Sequence, residues 1–276
     1  MNKKFTELAK KSKVIVIKVG SNILVNEKHV LRKKWLTSLI EDVQKLQKKG
    51  SKIIIVSSGA IALGRNILSK KKLTNLHEKQ AAASIGQIQL SQQWQKAFAK
   101  FNIQSSQILI TAEDLNERRK YLNIRNTIYS LMDLNVVPII NENDTTSTEE
   151  IRFGDNDKLS AMIANALSAE LLILLSDVNG LYTANPKKST DAELITSVEE
   201  VDQEIEKYID KDLSEFGSGG MLAKINAAKL CIQSGSTMII SNGLVNNPLG
   251  NIHPTSSTWF HPSKNILTSR LSLIHI

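Results

Sequence analysis

Six short runs of apolar, largely β-branched residues recur along the chain, at 14–19, 53–56, 107–110, 136–140, 171–175 and 237–240. Runs that are apolar almost throughout predict strands buried on both faces. The stretches between them carry helical periodicity. Trp35, Leu39, Val43 and Leu46 fall on one helical face, and Lys48, Lys49 and Gly50 close that pattern as a C-terminal signal. Further helices are predicted near 78–100, 121–134, 157–168 and 220–234. Parallel strands need long crossovers, so this order implies an α/β fold, a three-layer αβα sandwich around a mostly parallel open sheet.

With 276 residues, 41% of them hydrophobic and 22% charged, the chain can bury a sizeable core. We divide it into a basic N-terminal extension over 1–13, one large domain over 14–262 and a tail over 263–276. No apolar stretch approaches the roughly 18 residues that a bilayer requires, and no apolar segment of signal-peptide type follows the Lys-rich start, so a cytoplasmic protein without membrane partners is expected. Cys231 is the one cysteine and reads as a small buried hydrophobe within a helix. The five histidines match no metal-ligand spacing, and no protein-held metal is expected. A net charge of +8 invites nucleic-acid binding. However, Lys3, Lys4, Lys10, Lys11 and Lys13 crowd an N-terminus expected to be frayed and solvated, and Lys70, Lys71 and Lys72 sit in a polar loop. With 5% aromatic residues and no interleaving of Arg with aromatics, no nucleic acid is expected as a partner. Small anionic substrates account for the charge equally well.

In open sheets of this kind ligands bind beyond the carboxyl ends of the strands, where Gly20 and Gly59 would let backbone N–H groups approach an anion. Lys18 lies within an otherwise apolar strand. A lysine snorkelling from a strand end is the plain structural account, but burial without an anionic partner is costly, which favours a functional cation that neutralises a transferring phosphoryl group. Ser218, Gly219 and Gly220 precede a helix that contains Lys224; its free N–H groups suit phosphate, although a simple loop and N-cap have the same pattern. Gly154, Asp155, Asn156 and Asp157 also open a helix. One of them suffices as a cap, and the spacing lacks the EF-hand pattern. Asn141, Glu142, Asn143 and Asp144 follow an apolar strand, where they read either as a turn or as a loop that binds an α-ammonium and a carboxylate.

Taken in order, VIVIKVGSN (14–22), IVSSGA (55–60), INENDTT (140–146), RFGDNDKLSA (152–161), LLSDVNGLYTANP (174–186) and FGSGGMLAKINAAK (216–229) resemble the glutamate 5-kinases of the amino acid kinase family. The resemblance runs from about Val14 to His261. It implies ATP-dependent phosphorylation of the γ-carboxylate of L-glutamate, the first step of proline biosynthesis, with ATP and Mg²⁺ required. Lys18 and Lys224 would stabilise the transferred phosphoryl group and Asp157 would organise them. Glutamate contacts would come from Ser58, Gly59, Asp144 and Asn156. ATP contacts would come from Lys18, Ser176, Asp177, Ser218, Gly219, Gly220, Met221 and Lys224. The resemblance also implies a homodimer or homotetramer and functional coupling to glutamate-5-semialdehyde dehydrogenase.

Alternatives are a relative acting on N-acetylglutamate, a carbamate or a nucleoside monophosphate, or a non-catalytic regulatory protein on the same fold. Retention of Lys18, Asp157 and Lys224 together opposes the last. The sequence departs from the family at Ala223, where a threonine commonly precedes the lysine, and at Ser21, which keeps a hydroxyl. Many members continue into a C-terminal PUA domain, which is absent here, so the chain is either a PUA-less form or truncated. Its last six residues, Leu271-Ser-Leu-Ile-His-Ile276, look like one frame of a sequencing adapter, which favours an open reading frame that ran off its contig.

Overall fold

The computed structural model describes residues 1–69, 72–147, 155–186, 189–203, 205, 208 and 219–262. Gly154, Ser218, Lys70, Lys71 and the tail over 263–276 lie outside the described residues. The strands are β1 (Val14–Val19), β2 (Lys52–Ser57), β3 (Ser105–Ile110), β4 (Val137–Glu142), β5 (Leu171–Ser176), β6 (Leu181–Tyr182), β7 (Leu194–Ile195), β8 (Ser197–Val198), β9 (Thr237–Asn242) and β10 (Ser257–Phe260). The helices are α1 (Lys3–Lys11), α2 (Ser21–Leu24), α3 (Lys33–Gln47), α4 (Ala60–Ile67), α5 (Leu76–Ala99), α6 (Ala112–Asn116), α7 (Arg118–Asp133), α8 (Asp155–Ala166) and α9 (Gly219–Ser234).

One sheet runs in the order β3-β4-β2-β1-β5-β9-β10-β8, and β6 pairs with β7 apart from it. From β3 to β9 every pairing is parallel; β10 runs antiparallel to β9 and carries β8 parallel to itself. Alternate side chains of each central strand feed two separate cores. Ile15, Ile17, Val19, Ile53, Ile55, Leu171, Ile173 and Leu175 join α3 and α5 residues such as Leu39, Val43, Trp94 and Phe98 on one face. Val16, Ile54, Val56, Leu172, Leu174 and Ile240 join Ile128, Met132, Leu159, Ile163, Ile225 and Ala228 of α7, α8 and α9 on the other. Burial on both faces explains why these strands read as continuous apolar runs, and the three expected layers are present. Cys231 is buried in α9.

The frayed start expected over 1–13 is corrected in part. Its lysines are exposed, but Lys3–Lys11 forms a helix whose Phe5 and Ala9, one turn apart, are buried in the first core, and the Asn2 side chain accepts from Lys4 N–H at 2.9 Å to cap it. Asn141 and Glu142, weighed as turn residues, continue β4 instead; the turn begins at Asp144.

Strand order reverses around β1, whose neighbours are β2 on one side and β5 on the other, so the crevice for a ligand opens at the carboxyl ends of these strands. Two glycines let α4 and α5 pack closely. A Cβ on Gly64 would fall inside the radius of Ala82 O, and one on Gly86 would strike Ala60 O and Gly64 N, so α4 and α5 touch backbone to backbone. Gly86→Ala forces these helices apart and is expected to cost about 1–3 kcal/mol, as overpacking does. Thermal denaturation checks this against Gly50→Ala, which fills open space but at φ +94, and so is expected to cost about 1–2 kcal/mol through backbone strain alone, with no displacement of a neighbour.

Candidate active site

β1 alternates its side chains, so Lys18 points with Val16 toward the layer of α8 and α9. Its strand neighbours in register are Val56 and Leu174, which offer it no polar partner. The partner is Asp157, in the first turn of α8: Lys18 Nζ lies 2.5 Å from Asp157 Oδ1. Lys224, one turn into α9, reaches the other oxygen, Oδ2, at 3.1 Å, and also donates to Gly220 O at 3.1 Å. Lys18 is 7% exposed and Asp157 is fully buried. Two ammonium groups thus share one carboxylate, leaving an excess positive charge in a site nearly closed to water. Burial pushes the Asp157 carboxyl up, but Lys18 and then Lys224 outweigh it and hold the group below its ordinary 3.8. For Lys18, burial and the nearby Lys224 charge outweigh Asp157 and bring its ammonium below the ordinary 10.5. An anion entering between the lysines would relieve the repulsion that lowers it.

Asn156 precedes Asp157 on α8 and faces the ends of β2 and β4. Its Nδ2 donates to Ser58 Oγ at 2.7 Å and to Asn141 Oδ1 at 3.0 Å, with Ser57 O at 3.4 Å. Asn141, 3% exposed, passes a hydrogen bond on from Nδ2 to Gln87 Oε1 at 2.8 Å. Ser58 is held from behind: its N–H donates to Val19 O at 3.0 Å, and Trp94 Nε1 donates to Ser57 Oγ at 2.9 Å. Gly59 then starts α4 at φ +115, a conformation open to glycine at little cost, and turns the helix N-terminus toward this cluster. Gly20 has φ −70 and needs no such freedom; there a Cβ would sit 3.8 Å from Lys18 Nζ, so glycine leaves room beside the ammonium. Asp144 is half-buried in the turn after β4, which α5 braces where Gln80 Nε2 donates to Ser147 O at 3.1 Å.

At the end of β5, Ser176 is buried and Asp177 is exposed; Ser176 Oγ donates to Asp177 Oδ1 at 3.3 Å, and Asn22 Nδ2 of α2 donates to Asp177 Oδ2 at 3.4 Å. Gly219 and Gly220 form the first turn of α9, and Met221 packs against the second core. The structure therefore brings the sequence-chosen residues into two groups along one sheet edge. Lys18, Asp157 and Lys224 meet directly, and Ser58 meets Asn156. Sequence reasoning placed Asn141 in a candidate loop but did not single out Gln87 or Trp94: a neutral amide and an aromatic on helix positions carry no signal without the contacts. Among the described residues no group of three or more His, Cys, Asp or Glu side chains converges as a metal site, and no helix is long and apolar enough to cross a membrane.

The model of the amino acid kinase family matches residues 13–242. The chain is 49% identical over 263 residues to the glutamate 5-kinase of Pelagibacter ubique, covering 95% of this chain and 72% of that one. It is 45% identical to the glutamate 5-kinase of Agrobacterium fabrum, covering 94% and 67%. Among solved structures, a UMP kinase from Ureaplasma parvum superimposes with a TM-score of 0.63 at 16% identity over 91% of this chain and 99% of the other. A carbamate kinase from Giardia lamblia bound to AMP-PNP gives 0.61 at 17% identity over 92% and 100%. These two share its fold. With the family model spanning most of the sequence and two lysines gathered on one buried aspartate where the strand order reverses, the chain belongs to the amino acid kinase family.

Proposed function

We propose that the chain transfers the γ-phosphoryl group of ATP to the γ-carboxylate of L-glutamate, giving L-glutamyl 5-phosphate for proline biosynthesis. One observation carries the reading: two ammonium groups on one buried carboxylate adjoin an amide cluster at the same sheet edge, so anions of two kinds can meet there. Identity of 45–49% to proteins named glutamate 5-kinase favours glutamate as the acceptor. We propose in addition assembly into a dimer or tetramer and coupling to a dehydrogenase that consumes the labile acyl phosphate.

The acceptor carboxylate is already ionised at neutral pH, so the reaction needs no general base. The difficulty is to bring two anions together in line. Lys18 and Lys224 would flank the transferring phosphoryl group from opposite sides, and Asp157 keeps their ammonium groups in register. Gly219, Gly220 and Met221, at the start of α9, would receive phosphate oxygens on backbone N–H groups, with Ser176 and Asp177 along the nucleotide. Ser58, Gly59, Asn156 and Asp144 would hold glutamate. The excess positive charge between the lysines fits a phosphate chain. Mg²⁺ would arrive on the nucleotide phosphates, as this small, strongly hydrated ion usually does, and would lower the charge that the acceptor meets.

ADP release with Mg-ATP, comparing L-glutamate, N-acetylglutamate and UMP and trapping acyl phosphate with hydroxylamine, tests the reaction. A glutamate-dependent hydroxamate is expected; turnover with another acceptor alone refutes the glutamate assignment. Lys18→Ala and Lys224→Ala are expected to lower kcat about 100- to 1000-fold while remaining folded, the cost of losing one preorganised charge at the transition state. Near-normal turnover in both would remove their assigned role. Asp144→Ala is expected chiefly to raise the KM for glutamate, and a change confined to ATP would contradict that placement.

Protonated Lys18 is the active form, so kcat/KM, which reports the free enzyme, is full at neutral pH and falls as pH rises through its lowered pKa; an alkaline limb at or above 10.5 in the kcat/KM profile would count against this role. Because the folded pKa of Asp157 is depressed, its ionisation stabilises the fold above about 3.8 and that contribution is lost as pH falls through the folded value. Asp157→Asn is therefore expected to destabilise the protein at pH 7 by about 3–5 kcal/mol, as breaking a buried ion pair does. The gap from wild type should narrow in acid-titrated urea unfolding.

A further inference from the structure

The amides behind the acceptor site form a chain with one direction. Ser91 Oγ has two acceptors for its single proton, the carbonyl of Gln87 one turn earlier at 2.9 Å and Gln107 Oε1, and donates to one of them. It can then only accept from Gln87 Nε2, 3.2 Å away. That turns Gln87 Oε1 to receive Asn141 Nδ2, which in turn leaves Asn141 Oδ1 to receive Asn156 Nδ2. The second hydrogen of Asn156 Nδ2 goes to Ser58 Oγ at 2.7 Å, with Ser57 O a longer acceptor on the same side at 3.4 Å. Both hydrogens of that amide are therefore used and its orientation is fixed. What remains is Asn156 Oδ1, buried and without a hydrogen-bond partner among the described residues. A buried carbonyl oxygen left without a donor is costly, so its partner must be supplied on binding.

We propose that Gln87 is a positioning residue for the acceptor substrate. Through Asn141 it holds the Asn156 amide with its oxygen presented to a cationic donor, the free α-ammonium of the amino acid. Gln87 acts without touching the substrate. With Gln87 removed, Asn141 loses the acceptor that orients it. The Asn156 amide can then rotate by half a turn and present its NH₂ group to the ammonium, which repels it. An acceptor whose amine is acylated carries no positive charge there and depends less on this orientation, so the chain of amides also selects for free over N-acylated amino acids. The specificity part rests on the glutamate reading above; the orientation of Asn156 does not.

Steady-state kinetics of the full chain separate the two. Gln87→Ala is expected to raise the KM for L-glutamate about tenfold or more, with the KM for ATP within about twofold and kcat little changed. Gln87→Glu, which keeps an acceptor oxygen for Asn141, is expected to restore most of the glutamate KM. An unchanged KM in Gln87→Ala, or equal losses for both substrates in Gln87→Ala and Gln87→Glu, overturns the proposal. If wild-type protein turns over no glutamate, the activity reading fails alone, and ¹⁵N NMR of side-chain amides decides the relay. The Asn156 pair, assigned by its loss in Asn156→Asp, is expected to be exchange-protected in wild type and to shift and exchange faster in Gln87→Ala. An identical pair in both proteins overturns the relay whatever the enzyme does.

Discussion

A carboxylate sealed from water and shared by two ammonium groups is the constraint on which the rest of this site depends. Asp157 could not stay ionised in that position without both lysines, and Lys18 could not sit in the middle of an apolar strand without Asp157. Each element of the trio comes from a different layer position: a strand in the centre of the sheet and two helices on one of its faces. The sheet must therefore close, α8 must dock and α9 must dock before the charges can compensate one another. Net positive charge remains because two cations face one anion, which suits a site that must draw polyanionic substrates into a small volume.

The two halves of the site meet in consecutive residues of α8. Asn156 belongs to the amide cluster at the ends of β2 and β4, while Asp157 belongs to the lysine pair. Adjacent residues in the first turn of a helix project about 100° apart, so under the proposed function one turn would address both the acceptor and the phosphoryl group. In the proposed reaction the distance between nucleophile and electrophile would then be set by helix geometry, which is how an enzyme without a general base can gain most of its rate from alignment.

Much of this was legible in the chain. Five of the six apolar runs correspond to β1, β2, β4, β5 and β9, because strands buried on both faces leave an unmistakable composition, and the sixth to the edge strand β3, where Gln107 and Leu109 are exposed. Lys18 stood out for the opposite reason, as a charge where burial is expensive. What escaped were features whose signal is relational. The lysines around Phe5 and Ala9 masked a helix whose small buried face spans a single turn. The four-residue β10 is short, antiparallel and recognisable only beside β9. Gln87 sits half-buried in α5 with nothing in its neighbourhood to mark it, and its contact with Asn141 spans 54 positions of sequence.

The backbone contact between α4 and α5 has a further consequence for how such a protein can change. Gly86 seats α5 against Ala60 at the start of α4, and the very next residue, Gln87, faces Asn141. The helix that carries Gly59 at its N-terminus and the residue that orients the amides are therefore indexed to one another across a single peptide bond. Substitutions cannot widen one without displacing the other. Acceptor range in this fold should consequently shift in jumps, through paired replacements at helix and amide together, and the intervening single variants should be poor at both old and new substrates.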